Sequence, residues 1–324
     1  MNAALWTLVG AVALTAGLVL FAWTTNRRID AGFKPIGRFV DVPGARLHVV
    51  DRGTGPVVLM VHGLGGQLRH FTYGIEKRLA SQCRVIAVDR PGSGHSLRHA
   101  GASASMEAQA DALAALLDKL GVAQATVVGH SLGGAISLML AARHPQRVNA
   151  LALVAPLTHT PEGLPTPFRG LDIASPWLRK AVAWTAAVPA FIVRSPAIMK
   201  FLFSPETHPK DFATRAGGLM SLKPSQFIAA STDLAAIPDS LPALEATYAS
   251  LKLPVSMLYG KGDLVLDPQL QATAFVKKVP HTQLTLVDGG HMLPVTQVAR
   301  TAAFIEAAVQ QADRATNGCG SITR

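Results

Sequence analysis

The sequence VVGHSLGG, residues 127–134, places a Gly-x-Ser-x-Gly motif around Ser131 and is the strongest indication of how this chain folds. The apolar run Ala125–Val128 before it predicts a short buried strand, and Leu132–His144 after it predicts a helix that Pro145 ends. A serine between strand and helix needs a sharp turn with tiny neighbours, and its hydroxyl then projects above the sheet at the positive end of the helix. The pattern predicts a nucleophile at Ser131.

Strands and helices alternate on both sides of this motif. Helical spacing of apolar residues predicts a helix over Met106–Leu120, with Ser105 as its cap and Gly121 as its end. Continuous apolar strands that alternate with helices are typical of an α/β fold with a mainly parallel central sheet flanked by helices. The other predicted elements are two strands within Arg38–Asp51, strands at Val57–Val61, Arg84–Asp89, Val148–Val154, Val255–Tyr259 and Gln283–Val287, and a last helix at about Thr296–Ala312.

The alternation stops between residues 157 and 236. This stretch is rich in proline and contains apolar helical pieces such as Trp177–Trp184 and Phe191–Phe203. We predict an inserted helical cap over the carboxyl ends of the strands. A second independent domain is the alternative, but the sheet pattern resumes afterwards and about 80 residues make a small separate core. The predicted division is an anchor at 1–28, a core in two parts at 29–156 and 237–324, and the cap at 157–236.

The amino-terminal stretch Ala3–Trp23 is uncharged and rich in Leu, Val and Ala. As a helix it would be about 31 Å long, which matches the hydrocarbon thickness of a bilayer. Trp6 and Trp23 lie near its two ends, where aromatic rings prefer the headgroup level. A cleaved signal peptide is the main alternative, but its positive charges would precede the apolar run. The sequence predicts a retained single-pass transmembrane helix within residues 1–28 that contacts membrane lipid.

Positive charges follow the apolar run instead of preceding it, namely Arg27, Arg28, Lys34 and Arg38. Cytoplasmic flanks of membrane helices carry the excess of Lys and Arg. We therefore expect the main domain on the cytoplasmic side of the membrane.

Composition excludes several classes of protein. Of the 324 residues, 49% are hydrophobic and 15% are charged, which excludes a disordered chain, and two cysteines are too few for a disulfide framework or a four-cysteine zinc site. The net charge of +10 favours an anionic surface such as phospholipid headgroups or nucleic acid. Three tyrosines make a base-stacking platform improbable. No nucleic-acid partner is predicted, and the basic residues are interpreted as a solvated or membrane-facing surface.

Two later strand ends carry candidate partners for the serine. His291 lies in DGGHM just after the last predicted strand, and Asp263 ends YGKGD after the strand before it. The chain order Ser131, Asp263, His291 is the order expected for a nucleophile elbow of this kind. His291 would accept the serine proton while Asp263 fixes the imidazole tautomer and stabilises its cation. Asp267 is the alternative acid, and Asp288 is less suitable because it is too close in sequence to His291.

A glycine-rich loop, VHGLGG at 61–66, directly follows another strand. A tetrahedral oxyanion needs two backbone N–H groups that converge on one point. Leu132, just after the nucleophile, would supply one, and Leu64 is expected to supply the second. A plain glycine turn is the alternative interpretation. His62 is expected to order this loop and not to act as the base.

Five motifs in this order make the chain after residue 28 resemble the α/β-hydrolase fold superfamily: HGLGG at 62–66, DRPGSGHS at 89–96, GHSLGG at 129–134, GKGD at 260–263 and GH at 290–291. The resemblance implies one of several activities, among them esterase, lipase, amidase, dehalogenase, epoxide hydrolase, perhydrolase and carbon–carbon bond hydrolase. Dehalogenases and epoxide hydrolases place an aspartate at the elbow, so Ser131 argues against both. Membrane-anchored monoacylglycerol lipases and bacterial phospholipases of this fold also begin with a hydrophobic segment, which favours acyl lipids as substrates.

The sequence thus predicts a membrane-anchored serine hydrolase that cleaves a small apolar ester through an acyl-enzyme, without metal or cofactor. Apolar residues of the cap region, including Trp177, Trp184, Phe191 and Phe201, favour an acyl or aromatic substrate over a sugar or peptide. Amide, peracid or carbon–carbon chemistry on the same triad is the first alternative. A non-catalytic membrane-anchored binding protein on a hydrolase scaffold is the second.

Overall fold

The computed structural model describes the backbone of residues 3–319 and the side chains of residues 3–314. Its centre is one sheet with the strand order β1-β2-β4-β3-β6-β7-β8-β9, in which β5 pairs with β2. The strands from β4 through β9 along this order pair in parallel, whereas β2 is antiparallel to each of its neighbours. The strands are β1 Arg38–Val42, β2 Ala45–Arg52, β3 Val57–Val61, β4 Arg84–Val88, β5 Leu97–Arg98, β6 Ala125–His130, β7 Val148–Val154, β8 Val255–Gly260 and β9 Gln283–Val287.

Helices cover both faces of the sheet, so the predicted α/β architecture is confirmed. The α-helices of the whole described chain are α1 Ala3–Gly32, α2 Arg69–Thr72, α3 Ile75–Leu79, α4 Met106–Lys119, α5 Leu132–Arg143, α6 Pro176–Trp184, α7 Ala187–Phe203, α8 Pro224–Thr247, α9 Ala274–Lys278, α10 Leu293–Thr296 and α11 Val298–Cys319. Ser105 caps α4 by accepting a hydrogen bond from the backbone N–H of Ala108.

The strands are apolar at successive positions because the sheet is buried on both faces. In β3, Leu59 and Val61 belong to the hydrophobic cluster on one side, which includes α4 and α5. Val58 and Met60 point to the other side, where they pack with residues of α3 and α11. Buried parallel strands of this kind read as continuous apolar runs, which is why the strand predictions matched the structure closely.

The region between β7 and β8 is helical, with α6, α7, a short helix at Gly218–Leu222 and α8. The predicted boundary between cap and core, at residue 236, falls inside α8, which continues through Pro238 and Pro242. Proline normally interrupts a helix, so these two prolines predicted an end to the helix that the structure does not show. The helix packs on α6 and also on α4 and α5, which ties the insertion to the core.

The amino-terminal helix α1 extends four residues beyond the predicted limit of 28, to Gly32. Most of its residues are exposed, and the buried ones are Ala22 and Ile29. It contacts α6 and the short helix Gly218–Leu222, and Asp30 Oδ1 lies 2.7 Å from Lys223 Nζ beside that helix. Among residues 3–319, α1 alone is by itself long and apolar enough to cross a membrane, and signal sequences share those properties.

Candidate active site

Ser131 lies at the turn between β6 and α5 with φ +55° and ψ −124°. A positive φ is uncommon for a residue other than glycine and is found where the surrounding structure enforces it. Here the backbone N–H of Ser131 donates to the carbonyl oxygen of Val154 on the adjacent strand, at 3.1 Å. This is the geometry that exposes a nucleophile at the carboxyl edge of a sheet.

The two glycines of the motif leave room for this turn. A Cβ atom at Gly129 would lie 2.5 Å from Ser137 Oγ, and one at Gly133 would lie 2.2 Å from the carbonyl oxygen of Val61. Real Cβ atoms do not approach other atoms that closely, so each position needs glycine if β6, α5 and β3 are to pack as they do.

His291 and Asp263 form a buried pair at the same edge of the sheet. The distance from His291 Nδ1 to Asp263 Oδ2 is 2.7 Å, and their side chains are 5% and 0% exposed. The second carboxylate oxygen, Oδ1, accepts hydrogen bonds from the backbone N–H groups of Val265 and Leu266 at 2.8 and 3.0 Å. Because a carboxylate accepts at Nδ1, we assign the proton of the neutral ring to Nδ1, which leaves Nε2 as a proton acceptor.

The two alternative acids lie elsewhere. Asp267 is exposed, and its carboxylate accepts a hydrogen bond from the backbone N–H of Gln269. The side chain of Asp288 is 93% exposed and pairs with Lys261, whose ammonium lowers the pKa of that carboxyl. Among the side chains that the structure describes, neither carboxylate contacts His291.

The loop after β3 lies directly against the serine. A Cβ atom at Gly63 would be 2.8 Å from Ser131 Cβ and 3.3 Å from Ser131 Oγ. Leu132 is the first residue of α5, so its N–H has no partner within the helix. The predicted oxyanion donors, Leu64 and Leu132, both line the cavity that contains Ser131.

Ser131 and His291 line the same cavity, but no hydrogen bond joins Ser131 Oγ to the imidazole among the bonds of the described residues. His130 contacts His291 as well: its Nε2 donates to the backbone carbonyl oxygen of His291 at 3.0 Å, and the centroids of the two rings lie 4.9 Å apart. Catalytic hydrogen bonds of this type often tighten only when the substrate binds.

His62 orders the loop, as its geometry shows. Its Nε2 accepts a hydrogen bond from the backbone N–H of Arg90 at 2.9 Å, so its Nδ1 carries the proton and donates to the Gly63 carbonyl oxygen at 2.8 Å. Burial, reinforced by the charge of Arg90, holds the pKa of His62 well below its usual range. The ring is therefore a neutral structural bridge.

Arg90 is a positioning residue that the sequence analysis missed. Its fully buried guanidinium donates to the carbonyl oxygens of His62 and Gly63, at 2.9 and 3.0 Å, and so holds the loop that carries Leu64. The same guanidinium donates to Asp233 Oδ2 on α8 at 2.6 Å. The cap region is thus linked through one ion pair to the loop beside the serine.

Above the serine lies a cavity of about 610 Å³, a volume typical of small-molecule sites. Its walls are mostly apolar and come from both the core and the cap region, including Leu64, Val182, Phe168, Phe191, Phe212 and Phe227. Of the four apolar cap residues singled out from the sequence, only Phe191 lines it. Trp177 is 72% exposed on the outer face of α6, and neither Trp184 nor Phe201 reaches the cavity.

His70 adds a polar group to this cavity. It is 8% exposed, and its Nδ1 has no hydrogen-bond partner among the described residues. Burial lowers the pKa of His70 to about 4, so the ring is neutral near pH 7.

Comparison with known proteins places this arrangement in a family. Residues 56–297 match the sequence model of the alpha/beta hydrolase fold. An esterase from Thermogutta terrifontis has a similar structure, with a TM-score of 0.68, 26% sequence identity, and coverage of 85% of this chain and 99% of the esterase. A membrane phospholipase A covers 96% of this chain and 97% of its own, with a TM-score of 0.66; its 23% identity supports likeness of fold alone.

Curated relatives match over shorter stretches. The 2-hydroxymuconate semialdehyde hydrolase of Pseudomonas sp. is 39% identical over 121 residues, which are 37% of this chain and 43% of that protein. The acetyltransferase component of the acetoin cleaving system from Cupriavidus necator is 38% identical over 121 residues, 37% of this chain and 32% of that protein. The matched region therefore spans less than half the length of these relatives.

Proposed function

The chain belongs to the alpha/beta hydrolase fold family, and on that basis we propose that it is a serine hydrolase that cleaves carboxylic esters through an acyl-enzyme. The proposal depends on one observation: Ser131, in the strained elbow conformation, lines the same cavity as His291, which is hydrogen-bonded to the buried Asp263. A nucleophile, a base and a group that orients the base are the parts that this chemistry needs.

In the proposed reaction Ser131 Oγ attacks the ester carbonyl carbon while its proton passes to His291 Nε2. The oxyanion is held by the N–H groups of Leu64 and Leu132, each worth about 3 kcal/mol in comparable sites. Collapse of this intermediate breaks the bond to the alkoxy group, which leaves as an alcohol with the proton from His291. Water then attacks the acyl-enzyme with His291 again as base, which releases the carboxylic acid and restores Ser131.

The cavity favours an acyl lipid or another apolar ester as the substrate. Its walls are mainly aliphatic and aromatic. Besides three histidines, the ionisable side chains that line it are those of Asp172 and Arg194. An apolar acyl chain would replace water along these walls at a gain of about 0.8 kcal/mol per buried methylene.

We further propose that α1 is a retained anchor that holds the enzyme in a membrane. The helix is 30 residues long, and residues 3–17 in its amino-terminal part are all exposed. Arg27 lies over the ring of Trp23 at 5.2 Å, an arrangement suited to the headgroup level. In this proposal the main domain lies on the cytoplasmic side, which the basic residues after the apolar run support.

The test is a series of soluble esters of increasing acyl length on the detergent-solubilised full chain. We expect kcat/KM to rise about two- to fourfold per added methylene until the cavity is filled. Ala190→Phe, which narrows the cavity from α7, should move the preference to shorter chains, whereas Ala181→Phe, at an exposed position of α6 outside the cavity, should not. Equal kcat/KM along the series, or a preference for small polar esters, would contradict the substrate proposal.

Carbon–carbon bond hydrolysis on the same residues is the second candidate. It is favoured by the 39% identity to 2-hydroxymuconate semialdehyde hydrolase over 121 residues. The same preparation should be assayed on vinylogous diketone substrates and on amides. Turnover of a diketone well above that of the best ester would select this alternative.

A further inference from the structure

The outer face of the cap region exposes large apolar side chains. Val193 is 80% exposed, Trp177 72%, and Ile192 and Leu178 43% and 41%. We call these four residues of α6 and α7 the outer cap face. Single apolar residues are normal on a surface, but four large exposed ones on two consecutive helices that contact each other are typical of a site that something else covers.

The other side of the same helices lines the cavity. Ala187, Ala190, Phe191, Arg194 and Ile198 of α7 follow helical spacing and all face the space above Ser131. Ile192 and Val193 lie on the opposite side of that helix. Helix α7 therefore lines the cavity with one side and is exposed on the other. Only the thickness of this one helix separates the cavity from the surroundings at this point. Together, α6 and α7 are as long and as apolar as a membrane-crossing helix, and the two are bent by 75° relative to each other.

Charge distinguishes a membrane from other partners for this face. From residue 173 to residue 205 there is no Asp or Glu, while Lys180 and Lys200 are exposed cations of α6 and α7. Lys180 is exposed and lies one helical turn after Trp177. A helix pair with aromatic and aliphatic groups edged by cations is suited to the boundary between acyl chains and anionic headgroups.

The proposed anchor, α1, leaves the main domain close to the cap helices. Helix α1 contacts α6, and its buried residues, Ala22 and Ile29, belong to its carboxyl-terminal half. Asp30 is tied to Lys223 at 2.7 Å, and Arg69 donates to the carbonyl oxygen of Lys34 at 2.9 Å just beyond the helix. These contacts fix the exit of α1 beside the cap, so a membrane that holds its amino-terminal part lies next to the outer cap face.

We propose that the outer cap face is a second membrane-binding surface, which inserts into the headgroup region of an anionic phospholipid bilayer and brings the cavity within one helix of the lipid. This inference rests on the proposed anchoring of α1 and extends it to a named surface. It also implies that substrate is taken from the bilayer and not from water.

A fluorescence experiment that needs no enzyme activity tests whether the outer cap face lies in the bilayer. The full chain carries Val193→Cys in a Cys319→Ser background, labelled with an environment-sensitive fluorophore and reconstituted in vesicles of phosphatidylcholine and phosphatidylglycerol; Cys83 is buried and is retained. Since interfacial helices bury their apolar face roughly 5–10 Å into the boundary, nitroxide on lipid acyl chains should quench the label about twofold or more. The matched control, Ala123→Cys, is exposed at the amino ends of the strands and should be quenched by aqueous iodide instead.

A label at Val193 that iodide quenches as strongly as the control would overturn the proposal. Protection from both quenchers would also overturn it, since a second copy of the chain would then cover the face, as cross-linking would show. These outcomes do not depend on catalysis, so an inactive but lipid-quenched protein would refute the proposed ester hydrolysis alone.

A second variant tests the consequence for substrate. Val193→Asp places a charge on the outer cap face outside the cavity and should lower turnover of a vesicle-embedded ester about tenfold while leaving a soluble short-chain ester unaffected. If Val193→Asp turned over both esters at the rates of the unmodified chain, uptake from the bilayer would be contradicted. Loss of both would indicate damage to the fold and would be checked by thermal unfolding against Ala123→Asp.

Discussion

Ser131→Ala should lower kcat for the best ester substrate by about 10⁴-fold or more, because it removes the oxygen that we propose forms the acyl-enzyme. The substitution removes one oxygen at the cavity floor and leaves the Gly129 and Gly133 contacts that shape the elbow. Alanine carries a Cβ atom as serine does and meets the same backbone constraint at φ +55°. The fold should therefore be retained. Single-turnover and steady-state rates on the purified full chain measure the effect.

Ser221→Ala is the matched control, since Ser221 lines the same cavity without belonging to the elbow. We expect its kcat to remain within about threefold of the unmodified enzyme, as is common for residues outside the reacting constellation. Ester turnover by Ser131→Ala at more than about a tenth of the original rate would assign the chemistry to another group. Circular dichroism and thermal unfolding of both variants separate a catalytic loss from a folding defect.

Asp263→Asn should lower kcat by about 10⁴-fold while preserving the shape of the site. An amide can donate to Nδ1 of His291, which would move the ring proton to Nε2 and leave no acceptor facing Ser131. The carboxylate also accepts two backbone N–H bonds through Oδ1, and the amide oxygen can keep those. The expected signature is therefore a lower kcat with little change in KM for the same ester.

Two matched variants distinguish Asp263 from the acids that neighbour it in sequence. Asp267→Asn and Asp288→Asn change exposed carboxylates that do not contact His291. Each should alter kcat by less than about threefold, as surface substitutions usually do. A loss at Asp267 or Asp288 comparable to that at Asp263 would mean that the acid had been wrongly identified.

The fold was predictable from sequence because its signals are local. Each central strand is buried on both faces and therefore reads as a continuous apolar run, as Val57–Val61 does. The Ser131 elbow was predictable for a related reason: the close approach of strand and helix admits only glycine at Gly129 and Gly133, which leaves a fixed spacing in the sequence.

Features that depend on distant contacts were not predictable in this way. Arg90 and Asp233 are 143 positions apart in the sequence, and nothing near Asp233 indicates that its side chain will pair with Arg90. Helix α8 continues through Pro238 because packing against the core outweighs the local cost of a proline. Which side of a cap helix faces the cavity is also set by packing, so Trp177 and Phe191 could not be told apart by composition.

Reaction with a fluorophosphonate ester tests whether the Ser131 oxygen is the activated nucleophile, because the reagent modifies that atom itself. Peptide mapping of the labelled full chain by mass spectrometry is expected to place a single phosphonyl group on Ser131, to show none in Ser131→Ala, and to show much slower labelling in Asp263→Asn. A folded, ester-hydrolysing protein whose Ser131 stays unmodified, or whose label lies on another residue, would contradict the account.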